Sequence, residues 1–291
     1  MTSKPIVVGA DGSGASLQAV DWAAREAVMR GRPLRIVAAA PLPPRMVSRS
    51  GPTEYDAVTD VILSERDRAL AAAAERAAQA GEGLLIDHDP LGGPPAQAVT
   101  ESGSGALMLV LGSRGTGAFA AMLLGSVSRY AASHATCPVM VIRDEAQVPH
   151  GLVGVGIGDP DDCADALGFA FEEASLRHAG LLAVNAWHMP QTDISRAGQS
   201  FTGPSPQAVA ADAARQITGL LGEWRDKYPG VPVAQEVTHG HPARALAGLS
   251  ARADLVVLGR HARHPGLQGP GAIRHAVLSH AHGPIAVVPA S

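Results

Sequence analysis

Short apolar runs alternate with longer amphipathic stretches along the whole chain, and turn signals mark each change of pattern. Ile6–Gly9 is a compact β-rich run. Ala15–Met29 carries apolar residues at helical spacing (Leu17, Val20, Ala24, and Ala27 or Val28), and Gly31 follows as a stop signal. Leu34–Ala39 reads as a second strand, Leu63–Ala80 as an alanine-rich helix closed by Gly81, Leu84–Asp87 as a strand and Pro95–Ser102 as a short helix. Ala106–Leu111 is unbroken apolar, the pattern of a strand buried on both faces. Ser126–His134 reads as helix and Val139–Ile142 as the last strand of this stretch. The polar, proline-containing segments Pro41–Thr53 and Met189–Pro206 read as loops over one end of a sheet.

The pattern then repeats. Ile6–Asp11 resembles Val153–Asp159 at a shift of 148 (Asp11 to Asp159), and the same shift lays Leu34–Ala38 over Leu182–Ala186. Pro95-Ala96 matches Pro242-Ala243, and Leu109–Gly112 matches Val256–Gly259, at 147. Gly125 matches Gly271 at 146. So small a drift over so many matches indicates duplication. The expected domains are residues 1–145 and 151–291, joined through the polar stretch 144–151. Strand alternating with helix predicts two tandem Rossmann-like α/β domains, each a five-stranded parallel sheet with helices on both faces. Ligands of such sheets bind beyond the carboxyl ends of the strands, where strand order reverses.

Composition narrows the classes of function. Apolar residues make up 46% and charged residues 17%, ample for two cores, and the net charge of −4 with no basic block argues against a nucleic-acid surface. Cys137 and Cys163 are the only cysteines and lie far apart, which disfavours a disulfide framework or a cysteine-rich zinc site. No run approaches about 18 apolar residues, so no membrane span is predicted. Without a signal-type stretch before Ile6, the chain reads as soluble and cytoplasmic.

The strongest chemical signal follows the buried strand. Gly112-Ser113-Arg114-Gly115, nine residues beginning Thr116-Gly117-Ala118, and then Gly125-Ser126-Val127-Ser128 open a helix. Glycines let backbone N–H groups approach phosphate oxygens, serine hydroxyls add donors, and the helix start adds the positive end of its dipole. Arg114 is either a phosphate partner or a solvated loop cation. The competing reading of the glycines is a tight strand-to-helix turn required only for packing.

With Val8-Gly9-Ala10-Asp11, the Gly-x2-Gly-x9-Gly-Ser loop and the closing Cys137–Ile142, the chain resembles a tandem-domain universal stress protein, and its first copy resembles that family's ATP-binding branch. The resemblance implies that Gly9, Ala10 and Asp11 lie against adenine and ribose, and that Ala39 borders the adenine. It implies that Leu111, Gly112, Gly115 and Gly125–Ser128 hold ribose and phosphates, commonly with magnesium. Asp11 has the alternative role of capping the helix near Ala15. Single-domain relatives pair through their last strands, so Val139–Ile142 and Ile285–Val288 are expected to form an intramolecular pseudo-dimer, alone or within a homodimer of tandem chains.

The second copy departs from this pattern. Gly259-Arg260-His261-Ala262 has alanine for the second glycine, eight residues precede Gly271, and Ala272-Ile273-Arg274 replaces Ser126-Val127-Ser128. Gly158, Asp159, Gly259, Arg260, His261, Gly271, Ala272 and Ile273 therefore outline a weak second site for ATP, or one that reads a different anion. Trp187, laid over Ala39, would partly fill its adenine position. The histidines at 239, 241, 261, 264, 280 and 282 lack partners at zinc-ligand spacing, so no metal held by protein ligands alone is expected. No Walker loop, complete dinucleotide fingerprint or nucleophile elbow is present.

Three functions fit. The leading one is an ATP-binding stress-response regulator that works through protein partners and is no enzyme beyond weak ATPase activity. The others are a slow ATP hydrolase, for which Asp11 is the one candidate carboxylate, and a scaffold indifferent to nucleotide.

Overall fold

A computed structural model describes residues 3–41, 54–115, 124–143, 149–158, 163–187, 205–260 and 271–290. The chain divides into two compact units, Met1–Ala146 and Gln147–Ser291.

The first unit runs β1 (Ile6–Gly9), α1 (Gly14–Arg30), β2 (Leu34–Ala40), α2 (Glu54–Ala78), β3 (Ile86–Gly92), α3 (Pro95–Ser102), β4 (Met108–Gly112), α4 (Ser126–His134) and β5 (Val139–Ile142). Its strands are all parallel, in the order β3-β2-β1-β4-β5. Helices α1 and α2 pack together on one face, and α3 and α4 on the other. Ile6, Val7, Val8, Met108, Leu109 and Val110 are fully buried, so β1 and β4 are covered on both faces and carry no polar alternation. Strand order reverses between these two strands, which opens the sheet at their carboxyl ends. α1 stops at Gly31, whose left-handed backbone (φ 59°) lets its N–H reach back to the Ala27 and Val28 carbonyls.

Two elements differ from the sequence expectation. α2 begins at Glu54 rather than Leu63. β3 begins at Ile86 and runs to Gly92 through Asp87-His88-Asp89-Pro90, well beyond Asp87. It lies at the end of the unit's strand order and is mostly exposed, so it carries no apolar period. A proline is tolerated there because an edge strand ladders on one side only. Of the expected loops, residues 42–53 and 188–204 lie outside the described residues.

The second unit runs β6 (Leu152–Gly156), α5 (Ala164–Leu176), β7 (Gly180–Trp187), α6 (Pro206–Lys227), β8 (Val233–His239), α7 (Pro242–Leu249), β9 (Leu255–Arg260), α8 (Ala272–His280) and β10 (Ile285–Pro289). Its order, β8-β7-β6-β9-β10, is again all parallel. Phe171 on α5 stacks on Trp224 of α6 at 5.8 Å, and Gly168 leaves room for that indole, so Trp224 is a packing residue.

Strand register corrects the alignment of the two copies. Ile6 pairs with Leu34 and Met108, and Val153 pairs with Leu181 and Leu255, so the offset is 147 in β1, β2 and β4 alike, not 148 in the first two strands. The Ala10 N–H donates to the Val37 carbonyl and the Ile157 N–H to the Val184 carbonyl, both at 2.8 Å. Gly156 therefore stands for Gly9, Ile157 for Ala10, Ala186 for Ala39 and Trp187 for Ala40. Successive strand residues face opposite ways, so Trp187 lies on the face away from the Ala39 position and does not fill a second adenine site. Adjacent Leu181 and Leu182, together with the attraction of matching Asp11 to Asp159, hid this one-residue slip. No helix among the described residues is long and apolar enough to cross a membrane.

Candidate functional site

In the first unit the carboxyl ends of β1, β2 and β4 and the starts of α3 and α4 enclose a cavity of about 430 Å³. That volume suits a small organic ligand. Its floor depends on Gly9: a Cβ there would stand 2.7 Å from Leu111 Cδ2 and 3.3 Å from Val99 Cγ1, so the glycine lets both side chains form the wall.

The chain leaving β1 turns through a short network. The Asp11 N–H donates to Ser16 Oγ at 3.3 Å, and Asp11 Oδ1 accepts from the Ser13 N–H at 3.0 Å. Ser13 is the cap of α1, since its hydroxyl accepts from the Ser16 N–H at 3.1 Å. The capping role thus belongs to Ser13. Asp11 closes the turn before it and presents its other oxygen, Oδ2, to Gly115, where any Cβ would overlap that oxygen. The glycine loop is seated against the aspartate that ends the first strand, though the two lie about a hundred residues apart in sequence.

Each residue of the loop takes a distinct part. Gly112 abuts the first turn of α1, where a Cβ would meet the Ala15 backbone at 2.7 Å and Ser16 N at 2.9 Å. Its carbonyl accepts a hydrogen bond from buried Ser128 Oγ at 2.6 Å. The Ser128 hydroxyl is thereby engaged with the fold. Ser126 is exposed, lines the cavity, and makes no hydrogen bond among the described residues. Ser113 is fully buried and is not among the residues that line the cavity. Gly125 has ordinary extended dihedrals (φ −68°, ψ 154°), so its backbone does not demand glycine. Among the described residues no side chain caps α4, so none of them competes for the N–H groups of its first turn beside the cavity.

Gly9, Ala10, Asp11, Ala39, Leu111, Gly112, Arg114, Gly115 and Gly125–Ser128 all line the cavity. Thr116, Gly117 and Ala118 lie outside the described residues. The lining also includes Ser16, Pro41, Pro95, Val99 and Leu124, which the sequence reading missed. Pro95 and Val99 are four apart on one helix, a legible spacing with nothing to connect it to this cleft. Among the described residues that line the cavity, Asp11 is the single carboxylate and Arg114 the single cation.

In the second unit Gly158, Gly259, Arg260, Gly271, Ala272 and Ile273 are described, and Asp159 and His261 are not. Gly271 has φ −99° and ψ −10°, so the entry into α8 differs in backbone from the extended Gly125. Among the described residues no group of three or more His, Cys, Asp or Glu side chains gathers as for a metal.

A parallel α/β unit present twice, with a glycine-lined cleft at the switch point of the first copy, defines the class. The universal stress protein family matches residues 2–143 and again 152–289, and the chain belongs to that family. It is 36% identical over 292 residues to universal stress protein Rv2005c of Mycobacterium tuberculosis, covering 97% of this chain and 96% of that protein. Over 281 residues it is 34% identical to universal stress protein Rv2623 of the same organism, covering 90% and 88%. A universal stress protein from Archaeoglobus fulgidus shares the fold, with a TM-score of 0.71 at 17% identity over 99% of this chain and 97% of that one.

Proposed function

We propose that the first unit binds ATP in this cleft and that the protein uses the nucleotide as a regulatory ligand in a stress response, not as a substrate to be turned over. The observation that carries this reading is the contact of Gly115 with Asp11 beside the uncapped start of α4. It leaves backbone N–H groups, and a Ser126 hydroxyl with no hydrogen bond among the described residues, facing space that a phosphate chain would occupy. The apolar end, lined by Val99, Leu111 and Ala39, suits a purine. Among the described residues the phosphate end carries one positive side chain, Arg114, and the backbone amides and helix dipole add to its attraction. Magnesium fits the donor chemistry, with the Asp11 carboxylate and the phosphates themselves as oxygen ligands.

Turnover needs a positioned base and a further charged group at the leaving phosphate. Asp11 is one carboxylate already engaged with the Ser13 N–H, which supports a holding role over a hydrolytic one. The test is to denature purified protein and quantify released nucleotide, then to follow ADP formation over hours. Retained ATP with negligible ADP supports the reading. Steady ADP production would make the protein a slow hydrolase, and absence of any adenine nucleotide binding would leave the scaffold reading.

A further inference from the structure

The turn between β1 and α1 is tied together by one buried hydroxyl. The Ala10 N–H makes the last bond from β1 to β2, at the Val37 carbonyl, so the Asp11 N–H is the first amide beyond the sheet and needs a partner outside it. Ser16 Oγ supplies that partner: it accepts from the Asp11 N–H at 3.3 Å and donates to the Ser13 carbonyl at 2.9 Å. A serine hydroxyl carries one proton and two lone pairs, so both bonds run through a single oxygen that no apolar side chain can replace. Ser16 is 3% exposed and forms part of the cavity wall. Its own N–H donates to Ser13 Oγ at 3.1 Å and marks the place where Gly112 comes against α1, since a Cβ on Gly112 would stand 2.9 Å from that nitrogen. The contact of Gly112 with the first turn of α1 and the contact of Gly115 with Asp11 therefore meet at Ser16.

We propose that Ser16 is a positioning residue for the nucleotide: by holding the Asp11 amide it fixes the aspartate against Gly115, and so sets how tightly the first cleft retains ATP. Ser16 acts through Asp11 rather than through a bond of its own to the ligand. Without the hydroxyl, α1 keeps its cap from Ser13, but the Asp11 amide loses its partner and the carboxylate of the same residue is less narrowly directed. The glycine loop is then seated less firmly at Gly115. The second unit differs at this position. The offset of 147 continues from the strands into α1 and α5, where buried Ala19, Val20, Ala23 and Ala24 correspond to buried Ala166, Leu167, Ala170 and Phe171. It places Cys163 over Ser16, equally buried, at the start of α5 and with no cap bond from its side chain. A thiol is a weak donor and a weak acceptor, so Cys163 takes the hydroxyl's place without its bonding capacity. The role of Ser16 rests on the reading of the first cleft as an ATP site.

The test uses the full chain as wild type, Ser16→Ala, Ser16→Cys and Glu26→Ala. Each is titrated calorimetrically with ATP, unfolded in urea, and compared in N–H correlation spectra recorded without nucleotide. Ser16→Ala should weaken ATP binding roughly threefold to tenfold, the effect of one lost hydrogen bond. Ser16→Cys, which nearly keeps the volume and copies the second unit, should weaken it as much, which separates bonding from packing. Glu26→Ala breaks the pair with Arg30 at the far end of the same helix. It should lower the urea midpoint yet leave ATP affinity within about twofold of wild type, because the two sites are distant and share no partner. In the spectra, the Asp11 and Gly115 amide signals should move together in both Ser16 variants, a response that a serine serving α1 alone would not produce. Wild-type affinity in either Ser16 variant, an equal loss in Glu26→Ala, or an unmoved Gly115 signal would each overturn the proposal. Full affinity in Ser16→Ala would leave the ATP reading of the cleft standing, whereas no ATP binding by wild type would overturn that reading and this role with it.

Discussion

The contrast between Ser126 and Ser128 makes the most searching prediction, because two serines two residues apart are given opposite roles. Ser126→Ala removes an exposed hydroxyl with no hydrogen bond among the described residues, so folding stability should stay within about 0.5 kcal/mol of wild type. If that hydroxyl donates to a phosphate oxygen, the lost charge-assisted bond is worth about 1.5–3 kcal/mol. That corresponds to roughly a tenfold to hundredfold rise in Kd for ATP. Ser128→Ala removes the 2.6 Å bond to the Gly112 carbonyl at a buried position and leaves that acceptor unpaired. The cost there is about 1–3 kcal/mol of stability in the first unit, with a smaller effect on affinity. Urea denaturation and calorimetric titration on the same preparations separate the two. An affinity loss confined to Ser128→Ala at unchanged stability would refute the assignment and make Ser128 the phosphate donor.

Gly115→Glu should abolish ATP binding, because any side chain there overlaps Asp11 Oδ2 and this one adds a second negative charge; nucleotide content near wild type after purification would contradict the site. Titration of wild type should count close to one ATP per chain, and Gly271→Ala, whose methyl would meet the Arg274 guanidinium at 3.3 Å among the described residues, should not change that number. Each unit buries a Glu–Arg pair at equivalent positions, Glu26 with Arg30 at 2.5 Å and Glu173 with Arg177 at 2.6 Å. Glu26→Ala and Glu173→Ala should each destabilise their unit by about 3 kcal/mol through the cation left behind, measured as a lowered urea midpoint.

Much of the fold was legible because local pattern reports burial. β1, β4 and β5 are unbroken apolar runs, which is what a strand covered on both faces requires, and Gly31 marked the end of α1 through the one conformation it adopts easily. The glycine loop could be read by spacing, since Gly112 against the first turn of α1 and Gly115 against Asp11 leave no room for a side chain. β3 could not, because an edge strand has no buried face to impose a period. The register between copies was also closed to sequence reading: a slip of one residue costs little in identity where two leucines adjoin, yet it turns Trp187 from one sheet face to the other. Tertiary structure alone decided that the Ser128 hydroxyl turns to the Gly112 carbonyl, that Ser13 rather than Asp11 caps α1, and that Val99 and Pro95 complete the wall. Composition and spacing describe a residue's neighbours along the chain. The direction of a hydroxyl, or the approach of Gly115 to Asp11, depends on β1 and β4 lying side by side in the sheet, a contact between segments that share no local pattern.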